Sequence, residues 1–248
     1  MNSLPDILKE FEGISLMEMD SVKLLNRTDT KFLLHNSILN KVLWDNKNEY
    51  RILEIQQKRT ARYETLYYDQ PNFKYYLDHH NKRTNRYKVR KRTYLDSGLC
   101  FLEVKHKFKG RTDKNRIKIG GISEMISGQE LSFLEKNVPK SHKLKASIWN
   151  NFERITLVHQ ERKERITLDL GLNFRWEDRT FGYPNCVIAE VKQESVDRST
   201  PIIESLKKNE VRQIRISKYC IGMGMLYEEL KTNNFKRKFI TLNKTENA

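Results

Sequence analysis

Hydrophobic and polar residues alternate with a period of two along much of the chain, which is typical of strands with one buried face. In FLEVKHK at 101–107, Leu102 and Val104 lie on one face. Glu103 and Lys105 lie on the other face. The same pattern predicts strands at 26–34, 50–56, 62–69, 85–94, 100–110, 111–120, 150–158, 164–170, 173–178 and 186–194.

Segments with capping residues or apolar residues at helical spacing predict helices between these strands. They cover 2–12, 36–47, 73–81, roughly 123–148, a helix that starts at Thr200-Pro201, and 217–231. The polar tail at 233–248 is expected to be loose. No proline-rich or glycine-rich linker divides the chain. A single α+β domain over residues 1–248, built mainly of antiparallel strands, is therefore predicted.

Charged residues, most of them basic, fall on one face of strand after strand. One such face ordinarily meets solvent. Its recurrence leaves either a broad basic sheet surface or an eight-stranded barrel with the charged faces inward. A dry interior is excluded, because each buried ion costs several kcal/mol and about ten would exceed a total stability of about 5–15 kcal/mol. The sets are Arg27, Asp29 and Lys31; Arg86, Lys88, Arg90 and Arg92; Glu103, Lys105 and Lys107; Lys114, Arg116 and Lys118; Phe152 and Arg154; Arg165 and Asp169; Glu190 and Lys192.

The net charge of the chain predicts an anionic partner. The 248 residues include 47 Lys and Arg against 32 Asp and Glu, a formal net charge of +15, which favours nucleic acid, phosphorylated metabolites or an acidic membrane surface. Cys100, Cys186 and Cys220 form no C-x-x-C pair, which is typical of a reduced compartment. The N-terminus does not read as a secretory signal, and no segment reaches the ~20 apolar residues of a membrane helix. The expected location is cytoplasmic, or peripheral at the inner face of a membrane through a separate membrane-protein partner.

Seven short motifs carry a family resemblance. RTDTKF, ETLYYDQPNF, YKVRKRTY, FLEVKHK, RITLD, AEVK and SKY occur in this order over about residues 24–228. Their order and spacing resemble the VTC (vacuolar transporter chaperone) polyphosphate polymerase domain, a branch of the triphosphate tunnel metalloenzyme superfamily related to CYTH proteins. The resemblance implies an antiparallel eight-stranded β-barrel, the triphosphate tunnel, with flanking helices. It also implies ATP and inorganic polyphosphate or triphosphate as substrates, with Mn²⁺ or Mg²⁺ as cofactor.

Matching this pattern residue by residue gives the expected site. The expected catalytic residues are Lys31, Arg90, Arg92 and Lys105. Substrate binding is expected from Lys114, Arg154, Arg165, Ser217 and Lys218, together with Arg116 and Lys192 on the same charged faces. Glu190 matches the metal ligand. Glu103 is either a second metal ligand or a partner for neighbouring cations, and the two readings stand equal.

Two departures from the relatives bear on function. Phe152 stands where a Tyr is usual two residues before Arg154, so a hydroxyl contact is missing. Arg27 and Asp29 precede Lys31 where CYTH relatives carry Glu-x-Glu, so one carboxylate is lost. This loss argues against a fast metal-dependent triphosphatase.

The leading interpretation is a polyphosphate polymerase that transfers the ATP γ-phosphate to a growing chain inside a basic tunnel. Basic side chains position and neutralise phosphates, and an ionised phosphate acceptor needs no general base. The alternatives are a metal-dependent inorganic triphosphatase of the same fold, and a non-catalytic polyanion or nucleic-acid binding module. Nucleic acid is the less expected partner, because Tyr-rich strands are more often core than exposed stacking surfaces. His79 and His80 are expected on the surface, because adjacent helical residues do not face one ligand.

Overall fold

The computed structural model describes residues 3–21 and 27–248, which form a single large sheet with flanking helices. Its strands are β1 (Glu12–Ile14), β2 (Thr28–His35), β3 (Tyr50–Leu53), β4 (Ala61–Asp69), β5 (Arg86–Tyr94), β6 (Leu99–Phe108), β7 (Arg111–Ile119), β8 (Lys145–His159), β9 (Glu164–Trp176), β10 (Arg179–Tyr183) and β11 (Cys186–Gln193). Its helices are α1 (Leu4–Lys9), α2 (Leu16–Ser21), α3 (Asn36–Asn46), α4 (Lys74–His80), α5 (Gly128–Asn137), α6 (Pro201–Lys208), α7 (Lys218–Leu226) and α8 (Lys236–Glu246). Short 3-10 helices lie at Ser141–Lys143 and Asn233–Phe235.

Eight strands follow one another in the order β2-β11-β9-β8-β4-β5-β6-β7, and each neighbouring pair is antiparallel. The predicted α+β class with an eight-strand tunnel path and flanking helices is thus confirmed. Residues from β2 and from β5, β6 and β7 line the same cavity, so the sheet wraps around an interior. Three further strands lie off this path: β3 pairs with β8, β1 pairs with β3, and β10 pairs with β9.

The barrel is not closed by hydrogen bonds, in contrast to the expectation. Within residues 3–21 and 27–248, no ladder joins β2 to β7 at the ends of the path. The outer edge of β2 is already occupied, because the Ile214 N–H donates to the Lys31 carbonyl at 2.8 Å and Gln213 bridges to Phe32. The open line between β2 and β7 is called the seam below.

Two apolar cores cover the outer face of the sheet. One packs α1, α3 and α6 against β2, β3, β8, β9 and β11, with fully buried Val42, Leu43 and Ile202. The other packs α5 against β4, β5 and β6 through Leu134, Leu102 and neighbouring residues. The apolar side of FLEVKHK therefore faces outward under a helix, which leaves its charged side for the interior.

Helix α7 packs against the inner face of the sheet and closes off part of the interior. Gly222 lies so close to β8 and β9 that a Cβ atom would be 2.4 Å from Ile148 Cδ1 and 2.5 Å from Phe174 Cδ1. Both of those side chains are fully buried. The absence of a side chain at Gly222 thus sets how deeply α7, and the residues at its start, enter the interior.

Several sequence expectations need correction. The helix expected at roughly 123–148 is limited to α5 and a 3-10 turn, because β8 begins at Lys145. The strands expected at 164–170 and 173–178 are the single strand β9, and β10 was not expected. The strand expected at 26–34 begins with Asn26, which lies outside the described residues.

The tail expected to be loose is helical, and that expectation is wrong. Helix α8 follows the 3-10 turn and buries Leu242 completely. The Glu246 carboxylate accepts hydrogen bonds from the N–H groups of Asn185 and Cys186 at 3.1 Å. These contacts fasten the tail beside β11. Of the helices described, none is both long and apolar enough to cross a membrane.

Candidate active site

Three carboxylates on the inner face of the sheet each hold two cations. They are Glu103 on β6, Asp169 on β9 and Glu190 on β11. In formal charge each group has a surplus of one positive charge, because one carboxylate faces two basic side chains. The interior is therefore organised and still attractive to an anion.

The Asp169 group joins β8, β9 and α7. Arg154 grips the carboxylate with Nε at 2.6 Å from Oδ1 and Nη2 at 2.9 Å from Oδ2, and Lys218 pairs with Oδ2. Burial would raise the pKa of the Asp169 carboxyl, but the charges of Arg154 and Lys218 lower it well below its usual value. Burial lowers the pKa of Lys218 to about 8, against the pull of Asp169. Lys218 is thereby fixed by its partner and remains able to release a proton near neutral pH.

A pair of aromatic rings supports the same group. Tyr63 and Phe152 stack with ring centroids 5.0 Å apart and an interplanar angle of 5°. The Arg154 guanidinium lies 5.0 Å from the Tyr63 centroid, and Lys218 Nζ lies 4.3 Å from the Phe152 centroid. Phe152 thus serves as a face for cations, which a ring without a hydroxyl can do.

The Glu190 group joins β2 and β11. Lys31 pairs with Oε1 and Lys192 lies 2.7 Å from Oε2, while Lys192 also donates to the Thr167 hydroxyl at 3.0 Å. Burial and then the charge of Lys192 lower the pKa of Lys31 to about 7. Lys31 consequently changes its protonation near neutral pH when the surrounding charge changes.

The Glu103 group joins β5, β6 and β7. Arg90 lies 2.6 Å from Oε2 through Nη2, and Lys114 pairs with Oε1. Burial would raise the pKa of the Glu103 carboxyl, but Arg90, Arg92 and Lys114 lower it well below its usual value. The carboxylate is 1% exposed. Its geometry is that of a buried ion-pair centre.

Arg92 and Lys105 lie beside these groups, and neither takes part in an ion pair among those found in the described part of the chain. Arg92 Nε donates to the Thr65 hydroxyl at 3.2 Å, and its guanidinium is 5.4 Å from the Tyr63 centroid. Lys105 stands opposite Lys88 and Lys114 in the β5-β6-β7 register. The charge of Arg90 and then burial lower the pKa of Lys105 well below its usual value. Both residues are positioned to gain from an anion.

Both walls of the sheet contribute charge to one interior space. The charges of Lys218 on α7 and Lys88 on β5 lower the pKa of Lys31 on β2. A cavity of about 1010 Å³ lies along the seam and is lined by Lys31 from β2 and Lys105 from β6. Ten basic side chains and one carboxylate, Asp29, line it. The predicted basic faces therefore converge.

The remaining predicted site residues take different positions. Arg165 stands opposite Lys192 in the β9-β11 register, and burial, the charge of Arg154 and the charge of Arg165 lower the pKa of Lys192. Ser217 caps α7, where its hydroxyl accepts from the Cys220 N–H, and it lines the cavity. Arg116 is exposed at the rim, 4.7 Å from the Phe101 centroid. Arg116 and Lys114 are thus the members of the set on β7 that are open to solvent.

Two features of the site were missed at the level of sequence. Asp169 shared a face with Arg165 in the pattern, but alternation did not reveal that it gathers Arg154 and Lys218. His79 and His80 are not on the surface as expected: His79 lines the cavity, and His80 is 2% exposed. The signal for the two histidines was the Tyr-rich helix that carries them, since its buried neighbours require the histidines to be enclosed as well.

A divalent cation finds a limited set of ligands here. Among the described residues no group of three His, Cys, Asp or Glu side chains could hold a metal. Both oxygens of Glu190 and both oxygens of Glu103 face cations, but the Glu190 side chain is 18% exposed and that of Glu103 only 1%. A hard cation that takes most of its oxygens from phosphate and water fits Glu190 as a single protein ligand, and it does not fit Glu103.

The strand path, the inward cations and their excess over carboxylates define an antiparallel tunnel-like sheet with an interior that attracts anions. The model of the VTC domain matches residues 26–227, and the chain belongs to the VTC domain family. This agrees with the resemblance read from the motifs.

One solved structure shows the same fold at low sequence identity, and two others are similar to the chain. A candidate adenylate cyclase from Bacillus halodurans superposes with a TM-score of 0.51 and 13% identity, covering 77% of this chain and 94% of that chain. One from Vibrio parahaemolyticus gives 0.49 and 15%, covering 79% and 97%. The candidate adenylyl cyclase HpAC1 from Hippeastrum, described as having a dominant triphosphatase activity, gives 0.49 and 13%, covering 79% and 94%. No curated protein matches the chain.

Proposed function

We propose that the protein is a polyphosphate polymerase that uses ATP as phosphoryl donor and inorganic polyphosphate as acceptor. The observation that carries this proposal is the excess of cations over carboxylates in the interior, with ten basic side chains and one carboxylate around a cavity of about 1010 Å³. A chain of phosphates carries a charge on every unit, and a row of fixed cations complements it. Membership of the VTC domain family supports the same substrate class.

The reaction requires little covalent help from the protein. The bond between the γ-phosphorus of ATP and the bridging oxygen to the β-phosphate breaks, and ADP leaves. A terminal oxygen of the acceptor chain forms the new P–O bond. Because that oxygen is already ionised, no side chain has to remove a proton. Catalysis then rests on alignment and on charge stabilisation of the transferred group.

Arg92 and Lys105 are proposed to contact the transferred phosphate. They lack carboxylate partners among the described ion pairs and stand beside Arg90, so an anion gains the most there. Lys31, Arg90, Lys114, Arg154, Arg165, Lys192, Ser217 and Lys218 are proposed to hold the flanking phosphates, with Arg116 at the entrance.

Glu190 is proposed as the protein ligand of Mn²⁺ or Mg²⁺. The metal, when bound, neutralises charge on the phosphates. Glu103 is proposed to orient Arg90 and Lys114 instead, because its side chain is only 1% exposed, against 18% for Glu190. A single carboxylate ligand is consistent with a phosphate-rich coordination shell.

Incubation of the purified protein with ATP and Mn²⁺ tests the proposed function. Long-chain polyphosphate and ADP are the expected products, resolved by gel electrophoresis and chromatography. Arg92→Gln is expected to lower the rate by about 100-fold or more, the usual cost of losing one fixed donor to developing charge. Arg111→Gln, on the exposed outer side of β7, is the matched control and should retain wild-type activity.

The products separate this function from its alternatives. Orthophosphate release from tripolyphosphate without polymer would indicate a triphosphatase. Polyanion binding without turnover would indicate a binding module. Equal rates for Arg92→Gln and Arg111→Gln would contradict the role given to Arg92.

A further inference from the structure

The basic side chains of the interior fall into two sets that differ in their partners. Those around Glu103, Asp169 and Glu190 are compensated by carboxylates. Farther along β5, Lys88 and Arg86 enter no carboxylate ion pair of the described chain, and neither does Lys107 opposite Arg86. From Arg92 to Arg86 the strand advances about 20 Å. Lys88 stands opposite Lys105 at the edge of the proposed reaction site, and Arg86 and Lys107 lie beyond it.

His79 lies within this uncompensated set. It lines the same cavity as Arg86, Lys88 and Lys107. Its Nε2 atom is enclosed by protein without a hydrogen-bond partner, and so is Arg86 Nε. Two enclosed nitrogens without partners at one end of a cavity are unusual, because buried polar atoms are ordinarily satisfied. This end of the cavity is therefore lined by basic side chains that no carboxylate of the described chain compensates.

The groups that face His79 keep its ring neutral. Burial, and then the charges of Lys88 and Arg86, lower the pKa of His79 far below its usual value, and the Tyr87 main chain opposes them. The ring of Tyr219 meets it edge-on at 6.3 Å. The titratable and charged groups around it are Asp69 on β4, Asp78 on its own helix, Lys82 after that helix, Arg86 and Lys88 on β5, Lys107 on β6, Tyr219 and Cys220 on α7, and Lys238 on α8.

We propose that Arg86, Lys88, Lys107 and His79 form a second anion subsite that holds the phosphates following the reacting ones along the chain, and that His79 takes up a proton as the chain binds. An anion at this subsite opposes the charges of Lys88, Arg86 and Lys107, which add to the effect of burial in keeping the ring neutral. The protonated ring then adds one more positive charge. The assignment of the anion as a phosphate chain rests on the proposed function, whereas the subsite and its proton uptake rest on the geometry of this end of the cavity.

The direction of the pH dependence follows from linkage. The complex binds more protons than the free protein, so affinity for the anion rises as pH falls. One linked proton changes affinity by at most about tenfold per pH unit. Other groups, such as Lys31 and the ligand itself, also take up protons, so the contribution of His79 must be isolated by comparison with a matched variant.

Titration of tripolyphosphate into the wild type and His79→Gln, without metal and at pH 6 and 8, tests the inference. In calorimetry with buffers of different ionisation enthalpy, the wild type is expected to take up more protons per ligand at pH 6 than His79→Gln, by up to about one. The variant should also lose part of the gain in affinity between pH 8 and pH 6. His142→Gln, an exposed histidine on a 3-10 turn, is the control and should behave as wild type.

Imidazole resonances of the wild type give a second measurement that does not depend on the variant. The chain has six histidines. One of them is expected to remain neutral down to low pH in the free protein and to become protonated when tripolyphosphate is added. Equal proton uptake by wild type and His79→Gln, or six unaltered titrations, would overturn the inference. Neither measurement involves turnover. A failure of polymer synthesis would therefore not affect the interpretation of proton uptake at His79.

Discussion

Asp169 is 2% exposed and still ionised, because Arg154 and Lys218 surround its carboxylate. A buried charge is tolerated only with partners of good geometry, and removing one member leaves the others uncompensated. The same arrangement recurs at Glu103 and Glu190. At the scale of residues, the main role of the interior carboxylates is to fix the positions of the cations.

Asp169→Asn is expected to lower the free energy of unfolding by about 3–5 kcal/mol at neutral pH, because two enclosed cations lose their counter-charge. The folded-state pKa of Asp169 is lower than the unfolded value of about 3.9. Its contribution is therefore present above about pH 4 and is lost as pH falls toward the folded-state pKa. Urea unfolding at pH 7 and near pH 3.5 should show the difference from wild type shrinking in acid.

Asp113→Asn is the control for this experiment, since Asp113 is an exposed carboxylate on β7. Its unfolding free energy should follow that of the wild type at both pH values. A difference between Asp169→Asn and wild type that stays constant from pH 7 to pH 3.5 would contradict the ionised role of Asp169.

The sequence predicted which charged residues share a face, and the structure brings most of them together. Alternation follows directly from strand geometry, so Lys31, Arg90 and Lys105 could be placed without coordinates. It could not tell whether Glu103 binds metal or cations, because that depends on which oxygens face Arg90 and Lys114 across strands. It also could not show that a helix packs over the sheet and turns His79 toward the interior.

Among the elements, α7 has the most direct influence on the site. It begins at Lys218, directly after its cap Ser217, and it lies against the inner face of β8 and β9. The Tyr219 hydroxyl donates to Asp69, which also accepts the N–H groups of Tyr75 and Tyr76 at the start of α4. The depth and rotation of α7 therefore fix where the Lys218 ammonium stands.

Gly222→Ala is expected to destabilise the fold by about 1–3 kcal/mol, the usual cost of overpacking a core. Ala is ordinarily favoured over Gly inside a helix by about 1 kcal/mol, but here its Cβ would lie 2.4 Å from Ile148 Cδ1. Urea unfolding measures the change. Activity should fall as well, because α7 must shift and carry Lys218 away from Asp169.

Gly121→Ala is the matched control for that substitution, because a Cβ there meets no heavy atom within 4 Å. It should leave stability and activity near wild type. A Gly222→Ala protein more stable than wild type would show that α7 has room to accept the methyl group.

Element prediction succeeded where the pattern was long and failed where tertiary context decides. The strands with four or more alternating positions were found, including β5, β6 and β11. The region at 123–148 was overextended, because apolar spacing alone cannot show that β8 starts at Lys145 to pair with Asp69. The helix α8 was missed because its hold on the fold is provided by the Glu246 carboxylate and one buried residue, Leu242.

At the scale of the whole molecule, the net charge of +15 is partly directed inward. Ten basic residues line the cavity against one carboxylate. The electrostatic attraction of these residues is thus strongest on a narrow, flexible anion that can enter the cavity. A wide, stiff polyanion reaches only the surface charges, many of which have partners of opposite sign, such as Lys163 with Glu194 at 3.0 Å.

Polyphosphate is therefore expected to raise the melting temperature more than duplex DNA does at the same phosphate concentration. A ligand at about 100 times its Kd stabilises the fold by about 2.7 kcal/mol. Thermal unfolding at low and moderate salt measures the shifts, and the DNA effect should disappear first because it depends on exposed charges.

Two variants test whether polyphosphate raises the melting temperature by binding in the cavity or on the surface. Lys105→Met should reduce the shift caused by polyphosphate, and Lys163→Met on the surface should not. Equal shifts for DNA and polyphosphate, with equal sensitivity to both substitutions, would favour the surface-binding alternative.

The seam has a consequence for how these molecules behave beside one another. An open sheet has two edge strands, and unpaired edges invite strand addition by other chains and aggregation. The β2 edge is capped by Gln213 and Ile214 of its own chain. The β7 edge carries Arg111, Lys114, Arg116 and Lys118, whose like charges oppose a second copy. The same basic residues that attract phosphate thus protect the exposed border of the sheet from self-association.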